Sequence, residues 1–138
     1  MSEALRMARK AAEEGEVPVG AVVVSNGSII SRSYNQCEKL TDVTAHAEIQ
    51  AISSASYELQ SKFLEECDLF VSLEPCSMCA GALYWSRIRT LHYAASDPKK
   101  GYSLVGKELL HPKTKVFKGL FAQESQSLLQ DFFNNLRG

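Results

Sequence analysis

Two short stretches, His46-Ala47-Glu48 and Pro75-Cys76-Ser77-Met78-Cys79, restrict this chain more than anything else in it. Together they supply one imidazole, one carboxylate and two thiols. Zinc takes nitrogen and sulfur donors tetrahedrally, and a catalytic zinc fills three positions with protein and leaves the fourth to water. His46, Cys76 and Cys79 make such a set. Glu48 stands two residues from the histidine, placed to move protons and not to bind the metal. For these groups to meet, the two stretches must begin two neighbouring helices. Thr44 is the expected N-cap of the first, which carries His46 and Glu48 in its opening turn and runs to about Ala55. Asp68 to Leu73 reads as an apolar strand ended by Pro75, and Cys76 and Cys79 fall about one turn apart on one face of the next helix. The positive end of that helix favours thiolate over thiol.

Cys76-x-x-Cys79 taken alone also suits a redox pair or half of a structural zinc ribbon. A ribbon needs a fourth protein ligand. His92 and His111 lack ligand-like spacing, and Cys37 lies in a polar loop. A redox pair leaves His46 and Glu48 without a purpose.

The rest of the chain alternates helix and strand. Ser2 to Glu14 has the apolar spacing of a helix, with Ser2 as its expected cap and Gly15 closing it. Val19 to Val24 is a β-branched run, Asn26-Gly27 is a hairpin turn, and Ile29 to Tyr34 is the return strand. Ile88 to Ala95 predicts a fourth strand, and Val116-Phe117 a short fifth. Between them, 96–111 reads as a loop with a short helix. Ala122 to Leu136 predicts an amphipathic helix with Leu128, Leu129, Phe132, Phe133 and Leu136 on one side. This order implies a layered α/β domain. At 138 residues the chain is one domain, 1–138. Cys37 and Cys67 read as buried thiols packed as small apolar groups.

No apolar run approaches the ~18 residues of a membrane span, and Met1 to Glu16 is charged and helical in pattern, unlike a signal peptide. The expected location is the cytoplasm. Net charge is −1, but it is unevenly spread: residues 1–84 hold 6 basic and 12 acidic side chains, and residues 85–138 hold 9 and 4. A basic C-terminal third can face phosphates, although charge alone equally describes a solvated surface.

His-x-Glu with Pro-Cys-x-x-Cys is the signature of the zinc-dependent nucleobase deaminases. The surrounding blocks narrow the likeness. Val17-Pro18-Val19-Gly20-Ala21-Val22, Asn35, Thr44 to Glu48, Leu73 to Ala82 and Asp131-Phe132-Phe133 resemble the bacterial tRNA adenosine deaminases over nearly the whole chain. That family converts the wobble adenosine of an anticodon to inosine. The resemblance implies a three-layer, cytidine-deaminase-like α/β fold, a mixed five-stranded sheet with helices on both faces. It implies one zinc per subunit, a homodimer, and a tRNA anticodon stem-loop as partner. It implies Asn35 against the inserted nucleotide, and Asp97 and Lys99 of Asp97-Pro98-Lys99-Lys100-Gly101 along the nucleic acid. Phe132 or Phe133 would meet the adjacent base by stacking.

The chain departs from many relatives after His111-Pro112, where it is shorter, and after Phe133, where the basic cluster thins to Asn134-Asn135-Leu136-Arg137. Tyr84-Trp85 and Tyr93-Ala94-Ala95 resemble guanine deaminases of the same superfamily, so a free-base deaminase of guanine or a related purine is the runner-up. Cytidine deaminases with three thiolate ligands place cysteine where His46 stands. A non-catalytic zinc protein or RNA-binding module would have no use for Glu48.

Overall fold

A computed structural model describes residues 1–137. Chain order gives α1 (Ser2–Glu13), β1 (Gly20–Ser25), β2 (Ser28–Tyr34), α2 (Ala47–Leu59), β3 (Cys67–Leu73), α3 (Ser77–Ser86), β4 (Thr90–Ala95), β5 (Lys115–Lys118) and α4 (Ala122–Arg137). Two single-turn 3₁₀ segments, Tyr102–Leu104 and Lys107–Leu109, lie between β4 and β5. The sheet runs β2-β1-β3-β4-β5. β1 is antiparallel to both its neighbours, while β3, β4 and β5 are parallel. The sheet is therefore mixed and five-stranded, as the resemblance implied.

Asn26 and Gly27 both take positive φ, 50° and 76°, the geometry a two-residue primed hairpin turn demands. Alternation along the strands then decides which layer each side chain serves. Ala21, Val23, Leu69 and Val71 pack with Ala47, Ala51, Ala55, Ala80 and Leu83, so α2 and α3 cover one face. The alanines let α2 sit close to the sheet. On the other face α1 buries Ala4, Leu5, Met7, Ala8 and Ala11, and α4 packs beside it on β3 and β4. Gly20 points into α1: a Cβ there would collide with the Ala4 carbonyl oxygen and the Ala8 nitrogen. The same residue donates its N–H to Ser72 Oγ at 3.1 Å.

Several expectations need correction. Thr44 does not cap α2; its N–H and hydroxyl both bond Asp42 Oδ1, at 2.8 and 2.7 Å. Ser2 opens α1 without making a side-chain cap. Cys67 is buried, but Cys37 is only half-buried, because the loop holding it runs over the surface. The apolar side of α4 is also less covered than its pattern suggests. Leu128, Leu129 and Phe132 are half-buried, and Phe133 and Leu136 are exposed. Its fully buried residue is Ser125, whose hydroxyl donates to the Ser72 carbonyl at 2.5 Å. The helix is pinned to the sheet near its start, and its last turns project beyond what the sheet can cover.

Candidate active site

α2 and α3 begin side by side on the same face of the sheet. His46 is the N-cap of α2 and Cys76 the N-cap of α3; both have extended backbone, and neither side chain caps its helix. Each side chain is turned instead toward its counterpart. His46 Nδ1 lies 3.5 Å from Cys79 Sγ and 3.7 Å from Cys76 Sγ. One donor atom from each of the three residues falls within 4.8 Å of the others. A tetrahedral zinc with bonds of ~2.0 Å to nitrogen and ~2.3 Å to sulfur needs about 3.6 Å between those donors. The observed separations fit that requirement, and one imidazole with two thiols is a donor set suited to zinc.

With the His46 ring committed here, the first N–H of α2 needs another acceptor. Asn35 provides it: its Oδ1 accepts from Ala47 N at 2.8 Å. The amide Nδ2 of Asn35 has no partner among the described residues and remains a free donor beside the centre. Gln50 adds a second tie between hairpin and helix, donating to the carbonyls of Tyr34 at 2.7 Å and Ala45 at 3.1 Å.

Glu48 sits one residue inside α2 and is 3 % exposed. Burial pushes its carboxyl up to about 7, against the opposing pull of its backbone hydrogen bond and the His46 charge. The hydrogen bond from Cys79 is the largest cause holding the Cys76 thiol down at about 4, with the imidazole adding to it. Cys79 is driven upward by Cys76 and by burial. His46 is raised, chiefly by its hydrogen bond with Cys76. The four groups thus form one small, electrostatically linked cluster.

Two buried carboxylates that the motifs did not single out organise the flanking loops. Glu16 accepts from the backbone N–H of Glu38 at 3.1 Å and of Lys39 at 2.9 Å, fixing the loop after Asn35. Glu74 accepts from Asp97 N and Ser103 N, both at 3.0 Å, and from the Ser103 hydroxyl at 2.7 Å. The available signal was position: each acid stands within two residues of a proline beside an apolar run, in Glu16-Val17-Pro18 and Leu73-Glu74-Pro75.

The loop held by Glu74 carries Asp97 and Lys99. Asp97 forms the turn itself, with Oδ1 accepting from Lys99 N at 3.0 Å and Lys100 N at 3.1 Å. Tyr102 N donates to the Pro75 carbonyl at 2.9 Å, which ties this loop to the segment that leads into Cys76. Lys99 is exposed. Phe132 and Phe133 lie on α4, in the layer opposite α2 and α3, with ring centroids 5.3 Å apart. The fold therefore gathers His46, Glu48, Cys76, Cys79 and Asn35 in one place, sets Asp97 and Lys99 on an adjoining loop, and keeps the two phenylalanines on a separate helix.

Residues 1–137 match the family model described as MafB19-like deaminase. The tRNA-specific adenosine deaminase of Aquifex aeolicus is 44 % identical over 139 residues, covering 97 % of this chain and 91 % of its own. The chain belongs to the tRNA-specific adenosine deaminase family. A solved structure from a study of A-to-I editing by tRNA:A34 deaminases superposes on this member of the family with a TM-score of 0.87 at 44 % identity, covering 94 % of this chain and 97 % of that one. A guanine deaminase from Nitrosomonas europaea reaches a TM-score of 0.81, but at 27 % identity, over 95 % of this chain and 81 % of that one. A guanine deaminase from Bacillus subtilis is 40 % identical over 69 % of this chain and 61 % of its own, with a TM-score of 0.66.

Proposed function

We propose that this protein, as one deaminase domain over residues 1–138, hydrolyses adenosine to inosine at the wobble position of a tRNA anticodon, releasing ammonia. The observation that carries this reading is the imidazole–dithiol cluster with Glu48 buried beside it, in a chain 44 % identical to a tRNA-specific adenosine deaminase. His46, Cys76 and Cys79 would hold one zinc per chain. When bound, zinc lowers the pKa of a coordinated water to about 7 and so makes a nucleophile available at neutral pH.

Glu48 is the proton carrier. Its carboxylate accepts a proton from the attacking water and returns it to the ring nitrogen next to the amino-bearing carbon. A second proton then passes through the same carboxyl to the departing amine. Burial keeps bulk water from competing for these protons. Asn35 serves twice: Oδ1 holds the start of α2, and Nδ2 is directed to the inserted nucleotide. Asp97 and Lys99 lie along the anticodon backbone, and Phe133 or Phe132 meets the neighbouring base. An anticodon loop presents unstacked bases, so little energy is needed to place one in a deep site.

The working unit is a homodimer. Tyr57 on α2 and Trp85 on α3 are 77 % and 76 % exposed, and Val43 just ahead of α2 is 85 % exposed, in the layer that carries the centre. Such side chains favour a partner surface. Among the described residues no helix is long and apolar enough to cross a membrane; with tRNA as substrate, the location proposed is the cytoplasm.

The test is inosine formation in an anticodon stem-loop carrying adenosine at the wobble position, run beside ammonia release from free guanine. Efficient turnover of guanine with the stem-loop unchanged would transfer the assignment to the purine-base deaminases.

A further inference from the structure

We infer that Glu74 is a positioning residue for substrate binding: its buried carboxylate fixes the Asp97–Ser103 loop before RNA binds. This rests on the deaminase reading above and extends it to a residue outside the metal cluster.

Glu74 directly follows β3 and is 4 % exposed. Its own N–H donates to the Ala95 carbonyl at 2.8 Å, so its backbone is tied to the end of β4. Its carboxylate reaches across to both ends of the loop. Oε1 takes the N–H of Asp97; Oε2 takes the N–H and hydroxyl of Ser103. Between these points the loop passes so close that Gly101 has no room for a side chain, since a Cβ there would run into the Glu74 carboxyl group. The next residue closes the circuit: Tyr102 N donates to the Pro75 carbonyl at 2.9 Å. One acid thus links the strand end that leads into Cys76 with the loop that carries Asp97 and Lys99.

All of the hydrogen bonds to this carboxylate are donated by the loop, and hydrogen bonds to a charged acceptor are the stronger kind. A glutamine at 74 cannot replace it, because its NH₂ would face an N–H donor whichever way it turned. Without the carboxylate the loop must be ordered when RNA binds, and that cost falls on KM. The metal cluster and Glu48 stand on α2 and α3, so kcat for bound substrate is spared.

The experiment compares the full chain with Glu74→Gln and Ser103→Ala on an anticodon stem-loop RNA. It measures KM, kcat, zinc content and amide hydrogen exchange. For Glu74→Gln we expect KM raised roughly tenfold or more, the equivalent of about 1.4 kcal/mol, with kcat within about threefold. Zinc should remain at the wild-type level. Exchange should speed up across 97–104 and stay unchanged at 46–50. Ser103→Ala removes a single donor and should raise KM in the same direction by a few-fold; it decides the matter if the glutamine variant fails to fold. An unchanged KM with unchanged exchange in 97–104 overturns the inference, as does a fall in kcat accompanied by loss of zinc. If the wild-type chain leaves the stem-loop adenosine intact, the functional reading fails; if it is active and the variants bind RNA as well as it does, only the role of Glu74 fails.

Discussion

The two roles proposed for the Asn35 amide can be separated by substitution. The oxygen accepts from Ala47 N at 2.8 Å and holds the first turn of α2; the NH₂ is the group we propose for substrate. Asn35→Ala removes both. Losing a helix-end acceptor costs about 1 kcal/mol, which for a domain of this size lowers Tm by about 3–5 °C. Asn35→Asp retains the acceptor and puts an anion at the positive end of α2, worth roughly 0.3–1 kcal/mol in its favour. Its Tm should equal or exceed wild type. Yet the donor is gone, and a substrate acceptor left unpaired costs about 1–3 kcal/mol, or roughly 5- to 150-fold in kcat/KM. Thermal unfolding by circular dichroism and inosine formation on the stem-loop read the two effects separately. Wild-type kcat/KM in Asn35→Asp would refute the donor role. An unchanged Tm in Asn35→Ala would refute the capping role.

Elemental analysis should give about one zinc per chain, falling to background in His46→Ala combined with Cys79→Ala. Glu48→Ala should keep the metal and the fold while losing roughly 10²–10⁴-fold in kcat, the usual scale for a general acid/base; loss of zinc instead would make Glu48 a ligand. At the far end of β3, Arg89 and Thr90 hydrogen-bond the Asp68 carboxylate and hold it below its ordinary range. A depressed carboxyl stabilises the fold above its unfolded pKa of about 3.9 and loses that contribution as pH falls through the lower folded value. Asp68→Asn should therefore lower stability at neutral pH, leave it little changed in strong acid, and flatten the part of the pH–stability curve below about pH 4.

The imidazole–dithiol cluster could be read from the chain because its chemistry is local in type: imidazole and thiol at helix starts have few other uses. The strands were readable for a similar reason, since runs such as Val22-Val23-Val24 and Leu69-Phe70-Val71 declare burial on their own. What escaped notice depends on distance in sequence. Glu16 and Glu74 look like two more surface acids until the loops they hold, more than twenty residues onward, fold back over them. Thr44 had the right side chain for a cap, but the helix begins two residues later, where His46 is needed for another purpose. The periodicity of α4 described a helix correctly and overstated its burial, because periodicity says which side is apolar and not how far the sheet extends beneath it.

The last strand of the sheet has a consequence for the protein in a crowded solution. β5 pairs with β4 on one side only, and all four of its residues, Lys115, Val116, Phe117 and Lys118, are exposed. An unpaired edge with Val116 and Phe117 on it is a template onto which another chain's strand can add. The strand is short and a lysine stands at each end, so a second copy approaching in register must bring like charges together and strip them of water. Those two ammonium groups act as gatekeepers against end-on fibre growth. Replacing both with threonine would leave the catalytic layer untouched and turn a quiet sheet edge into a seed for self-association.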